Sequence, residues 1–232
     1  MLMHNEELRQ RYINPYTDFA FKRLFGTESN KEILIGFLNA LFHDKQTIED
    51  VTYLDIAHAD NREADCQAAV FDVYCKNQKG EEILIEMQKG EQPFFKDRSI
   101  YFSTLPIREQ AIKNGLWNYG AKTIYIISIL NFTFDDTDTV QFFHEVRLVE
   151  TTTHEVFYDD LSFIYLEMPK FRKTEHELEN PLDKWIFALK ALPELQERPA
   201  ALQGPEFNRL FEVAEIAKFS PEERNAYEGA EY

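Results

Sequence analysis

The chain has 232 residues and a mass of 27.4 kDa, room for one large domain or one domain with an appendage, and its 44% hydrophobic content is enough to bury a core. The 41 acidic residues outnumber the 25 basic ones, and the formal net charge of −16 opposes nonspecific adhesion to nucleic acid or to anionic membranes. There is no apolar run of membrane-spanning length and no secretory signal in the first ten residues; Cys66 and Cys75 lack CxxC spacing, and the histidines are scattered, so the expectation is a cytoplasmic protein with reduced thiols and no zinc site.

Asn14-Pro15 has the chemistry of a helix start, and Ser29 with Glu32 makes a capping-box pattern ahead of Ile33, Leu34, Phe37, Leu38 and Leu41. With Gly26 as a break, this predicts a short helix over 16–24 and a longer one over 30–42. Three runs rich in strand formers follow, at 51–57, 69–75 and 82–88. Asn77-Gln78-Lys79-Gly80 places glycine late in a short loop, so the last two runs are expected to form an antiparallel hairpin. Residues 97–114 have helical character but contain Pro106, which predicts a kink or two abutting helices. TIYIISIL at 123–130 reads as a central strand covered on both faces, and further strands are predicted at 143–150, 154–158 and 161–168. Beyond Pro169 the spacing turns helical, through Leu182, Trp185, Ile186 and Leu189 and then Leu210, Val213, Ile216 and Ala217.

Asp72 lies inside VFDVY (70–74) and Glu86 inside ILIEM (83–87), so each acid interrupts what otherwise reads as core strand. A carboxylate stripped of water is costly unless it is paired, protonated or bound to a cation. A symmetric hairpin register sets Asp72 opposite Ile85, and one bulge residue, a common companion of a late glycine, shifts it opposite Glu86. Two acids so opposed repel unless a divalent cation lies between them. Gln88, two residues beyond Glu86, shares its face. Oxygen ligands of this kind suit Mg2+ or Mn2+, which keep several waters and can present one to a phosphodiester. Spacing alone leaves a second reading open, in which both acids face solvent on the open side of an antiparallel sheet.

The order of elements, with Asp on the second strand, Glu-x-Gln on the third, then a helix and a buried strand, resembles the PD-(D/E)XK nuclease superfamily. More narrowly, the stretch from Asn14 to Lys22 (NPYTDFAFK), the segments FDVYC, ILIEMQ and FFKDRSIYFSTLPIREQ, the WNY at 117–119 and FIYLEMPKF are similar to the recombination-promoting nuclease and transposase family. The resemblance covers most of the chain. It implies an α/β fold with a restriction-endonuclease-like mixed sheet core flanked by helices over 12–170 and a helical C-terminal extension over 171–232. It further implies a magnesium-dependent DNA endonuclease acting in recombination, with Asp72 and Glu86 as metal-binding acids and the backbone carbonyl of Met87 as a further ligand. Gln88 stands where the superfamily usually has lysine; it can orient a water but carries no positive charge.

Asp18, in the N-terminal motif, is a candidate third acid near the metal, or else a helix-start acid favoured by the dipole. Lys22 and Lys89 are candidate cations to compensate for Gln88, with ordinary surface lysine as the alternative; Lys89 is expected on the sheet face opposite Gln88. Residues 96–122 carry Lys96, Arg98, Arg108, Lys113 and Lys122 against Asp97 and Glu109, so Lys22, Arg98, Arg108 and Lys113 are candidate phosphate contacts, or simply a solvated face. Tyr101 and Gln110 either contact DNA or pack locally. The acidic loop 55–65 lacks the ligand spacing of a calcium loop, and no phosphate-binding, dinucleotide or serine-hydrolase motif is present. DNA is the expected partner, no membrane is, and a homo-oligomer stays open. The rival reading is a nuclease-fold module, weak or inactive in catalysis, that binds DNA or protein. Measured against the family, the chain is expected to stop early, at Gly229-Ala230-Glu231-Tyr232.

Overall fold

Six segments rich in β-branched and aromatic residues hydrogen-bond into one sheet. They are β1 (Val51–Tyr53), β2 (Val73–Asn77), β3 (Glu82–Gln88), β4 (Ile124–Leu130), β5 (Phe143–Val149) and β6 (Val156–Glu167), in spatial order β1-β2-β3-β4-β6-β5. A computed structural model provides this description for residues 10–43, 45–54, 71–91, 93–112, 122–133 and 140–230. Lys113, the loop 55–65, positions 69–70 of a predicted strand and the WNY at 117–119 lie outside the described residues.

The sheet is mixed. β1 pairs antiparallel with β2 and β2 antiparallel with β3; β3, β4 and β6 are mutually parallel, and β5 closes the row antiparallel to β6. The continuous apolar run 123–130 becomes β4, which is paired on both sides. A parallel β3–β4 pair needs a crossover, and helix α3 (Phe95–Ile112) lies within it. Phe95 and Leu105 of α3 pack with Leu84, Ile126, Phe163 and Tyr165, so the even-numbered positions of β3 and β4 face this helix.

Three local expectations change. The strands predicted at 154–158 and 161–168 are one twelve-residue strand, β6. Between the two predicted segments lie Asp159 and Asp160, and Asp160 Oδ1 accepts from Thr123 Oγ1 at 2.8 Å, which gives that acid a partner without breaking the strand. The helix containing Pro106 is a single element rather than two, with Ser103 and Thr104 hydroxyls donating to the carbonyls of Ile100 and Tyr101 in the turn before the proline. Ser29 does not cap a helix; it sits inside a short 3-10 turn, Glu28–Asn30.

The hairpin between β2 and β3 sets the register of the sheet. Gly80 has φ +80°, its N–H donates to Asn77 O at 2.9 Å, and Asn77 N–H donates to Glu81 O at 3.0 Å. Residues 78–80 thus form a three-residue loop with glycine in the left-handed position. The side chain of Asn77 fixes it further, with Oδ1 accepting from the N–H groups of Lys79 and Glu81, each at 3.0 Å. Gly80→Ala is expected to cost about 1 kcal/mol, because the left-handed conformation crowds any Cβ even where the surrounding space is open. Urea denaturation of the variant measures it, and an unchanged midpoint would show that the loop relaxes freely.

The chain divides into two units, and residues 45–172 form the one just described. The other comprises described residues 10–43 and 173–230 and is helical. It holds α1 (Asp18–Phe25), α2 (Lys31–Leu41), α4 (Pro181–Ala191), α5 (Pro205–Ala214) and α6 (Pro221–Ala230). Trp185 of α4 anchors it against Phe37 of α2 and Phe207 of α5, at ring-centroid distances of 5.9 and 4.8 Å. The helices approach closely at Gly36, where an added Cβ would lie 2.9 Å from Glu206 Cβ and 3.0 Å from Trp185 Cζ2. Among the described residues no helix is long and apolar enough to cross a membrane.

Candidate active site

The shifted hairpin register pairs Val73 with Ile85, and there the β2–β3 ladder ends. Asp72 N–H still reaches Ile85 O at 3.1 Å, so Asp72 and Val73 both oppose one residue of β3, the two-against-one arrangement of a bulge. The Asp72 side chain then takes the place of a strand partner: Oδ2 accepts the N–H of Met87 at 2.6 Å. Asp72 is thereby fixed beside the backbone that follows Glu86.

Glu86 projects from β3 on the face that α3 covers and is only 3% exposed. Its Oε1 accepts from Ser128 Oγ at 2.7 Å, and its Oε2 accepts from Gln88 Nε2 at 2.9 Å. Ser128 is the register partner of Glu86 on β4 and is fully buried; Tyr165 is the partner of Ser128 on β6. One polar row, Glu86–Ser128–Tyr165, therefore crosses three parallel strands near their C-terminal ends. Burial pushes the Tyr165 phenol up, and the nearby Glu86 charge adds to it. No Lys or Arg among the described residues forms an ion pair with Glu86. A buried carboxylate supported only by neutral donors retains an unbalanced charge.

Backbone direction adds a third oxygen. Gln88 O accepts from Asn131 N at 3.0 Å, on the side of β4. Carbonyls alternate along a strand, so that of Met87 points the other way, to the side where Asp72 holds the Met87 N–H. Among the described residues no group of three His, Cys, Asp or Glu side chains is placed to hold a metal ion. Two carboxylates and a backbone oxygen, with water, would still suit Mg2+, which ordinarily takes only one or two carboxylates from a protein.

The remaining predicted positions lie on several elements. Asp18 and Lys22 belong to the helical unit, where they pair with each other one turn apart at 2.7 Å. Arg98, in the first turns of α3, lies over the Phe102 ring at 5.2 Å from its centroid, and Arg108 is exposed further along the helix. Lys89 is exposed just beyond β3. Gln110 is structural: its amide takes the N–H of Lys122 and donates to the Lys122 carbonyl, at 2.6 and 3.2 Å, which fixes the entry to β4. Ser128 was not anticipated from sequence; its signal was its standing as the one small polar residue within the apolar run IYIISIL.

A mixed sheet with a parallel centre, entered through an antiparallel hairpin that carries the acids, defines the restriction-endonuclease-like class of α/β fold. The model of one family in that class matches residues 15–231, and the chain accordingly belongs to the PD-(D/E)XK nuclease family transposases. No curated protein and no solved structure matches it.

Proposed function

We propose that the chain is a divalent-metal-dependent DNA endonuclease in which Asp72, Glu86 and the Met87 carbonyl hold Mg2+ or Mn2+. The observation that carries this reading is the buried, uncompensated Glu86 carboxylate beside an Asp72 already locked onto the next residue's backbone. A bound divalent ion would balance that charge and supply Lewis-acid activation of water and phosphate. The protein's own part is positional. Ser128 and Gln88 hold the two Glu86 oxygens, and Asp72 is oriented by the Met87 N–H. Arg98, Arg108 and Lys113 would attract the DNA backbone locally in an otherwise acidic protein.

Supercoiled plasmid incubated with the full chain and Mg2+ or Mn2+ should be nicked, and EDTA should stop it. Folded protein that leaves the plasmid intact in both metals would overturn the nuclease reading. One observation favours a second reading, a module that binds without efficient cleavage: the Gln88 amide is committed to Glu86 and offers no positive charge where the superfamily usually has lysine. That reading predicts calorimetrically measurable Mg2+ or DNA binding without nicking.

A further inference from the structure

Among the described residues β5 forms one margin of the sheet and is paired on one side only, with β6. Long edge strands are normally blunted, because unpaired N–H and C=O groups act as a template for another strand. Here the margin carries exposed apolar residues beside its charged ones: Val146 is 46% exposed, Leu148 49% and Phe157, on the adjoining end of β6, 79%. Glu167 N–H donates to Phe142 O at 2.8 Å, so alternate residues from Phe142 onward turn their backbone groups towards β6. Phe143, Glu145 and Arg147 accordingly turn theirs to the open edge.

From this geometry we infer that the β5 edge is a self-association surface whose occupant is the β5 edge of a second copy, antiparallel about a two-fold axis at Val146. Charge selects the register. With the axis at Val146, Glu145 lies opposite Arg147 of the second copy and Arg147 opposite its Glu145, giving two opposite-charge cross-strand pairs. The neighbouring registers with the same backbone alternation set Glu145 against Glu145 or Arg147 against Arg147, and like charges directly opposed are destabilising. Such a two-fold contact closes on itself, so it gives a dimer and not a fibre. The register irregularities after Arg147 confine continuous pairing to the stretch around Val146, while Leu148 and Phe157 supply flanking apolar surface. Glu145 already contacts the Lys45 ammonium and Arg147 of its own strand, with Arg147 Nε 2.8 Å from Glu145 Oε1, and Arg147 also lies 3.5 Å from Asp159, so the pairing adds one further opposite charge to each group.

The test is sedimentation of the full chain over a concentration series. Wild type is expected at twice the 27.4 kDa chain mass. Glu145→Arg alone and Arg147→Glu alone should each be monomeric, since each turns both pairs into like charges, whereas an equimolar mixture of the two should restore a dimer. Circular dichroism confirms that each variant is folded. Val146→Cys provides a check independent of charge: residues facing each other in a non-hydrogen-bonded pair have Cα atoms about 4.5 Å apart, within disulfide range, so oxidation should give a covalent dimer. A monomeric wild type at every soluble concentration overturns the inference. So do single-reversal variants that stay dimeric, because association would then use another surface.

Discussion

Asp72→Asn and Glu86→Gln are each expected to lower metal-dependent plasmid nicking by on the order of 10²-fold or more, while the protein stays folded. The amides keep the shape and a hydrogen-bond acceptor and remove only the charge. In the Asp72→Asn variant the amide oxygen could still take the Met87 N–H, and in the Glu86→Gln variant it could still accept from Ser128, so the hairpin end has no reason to unravel. Loss of activity would then isolate the need for negative charge. Stability gives a second readout that does not depend on cleavage. In EDTA, Glu86→Gln should be at least as stable as wild type, because it removes a buried charge that has no ionic partner among the described residues. With Mg2+ at a hundredfold its dissociation constant, wild type should gain about 2.7 kcal/mol and the variant far less. Equal shifts in the melting temperature of both proteins would place the ion elsewhere.

Glu167→Ala should be the most destabilising single substitution in the sheet unit. Glu167 is fully buried at the C-terminal end of β6, and its Oε2 lies 2.7 Å from both His144 Nε2 and Lys170 Nζ. The Lys170 side chain is itself 10% exposed and meets Glu167 as an ion pair without the angle of a good hydrogen bond. Removing the carboxylate leaves that ammonium buried without a counter-charge, a change that costs about 3–5 kcal/mol. In a protein of this length that corresponds to a fall in melting temperature of roughly 10 °C. The double variant Glu167→Leu with Lys170→Met replaces both charges with apolar groups and should recover most of the loss. A single variant that melts within a degree or two of wild type would show that water or rearrangement reaches Lys170.

The parts visible in the sequence are those decided by local chemistry. The run 82–88 is β3 from end to end, because its residues are strand formers bounded by a turn and a break, and the glycine of the preceding loop announced the added residue that sets the hairpin register. Asp72 and Glu86 stood out because acids in apolar strands are costly, and the structure places Asp72 beside the residue after Glu86. The partners of those acids were hidden. Ser128 is 42 residues from Glu86, and only the parallel β3–β4 register brings the two together. Likewise His144 meets Glu167 through pairing of β5 with β6, which no short window encodes. Asp160, inside the single strand β6, is also satisfied from across the sheet, by the Thr123 hydroxyl, which the local run 154–168 does not announce.

Cys75 lies at the middle of β2, three residues from Asp72, with no exposed surface, and burial pushes its thiol up to about 12. A thiol so placed is protected from alkylating reagents until the sheet opens. In a Cys66→Ser background it becomes an internal clock: the rate at which a reagent in excess modifies Cys75 reports how often the β2–β3 hairpin exposes itself. The same measurement with and without divalent ions separates a local tightening of the hairpin from a change in global stability, without any substrate being present.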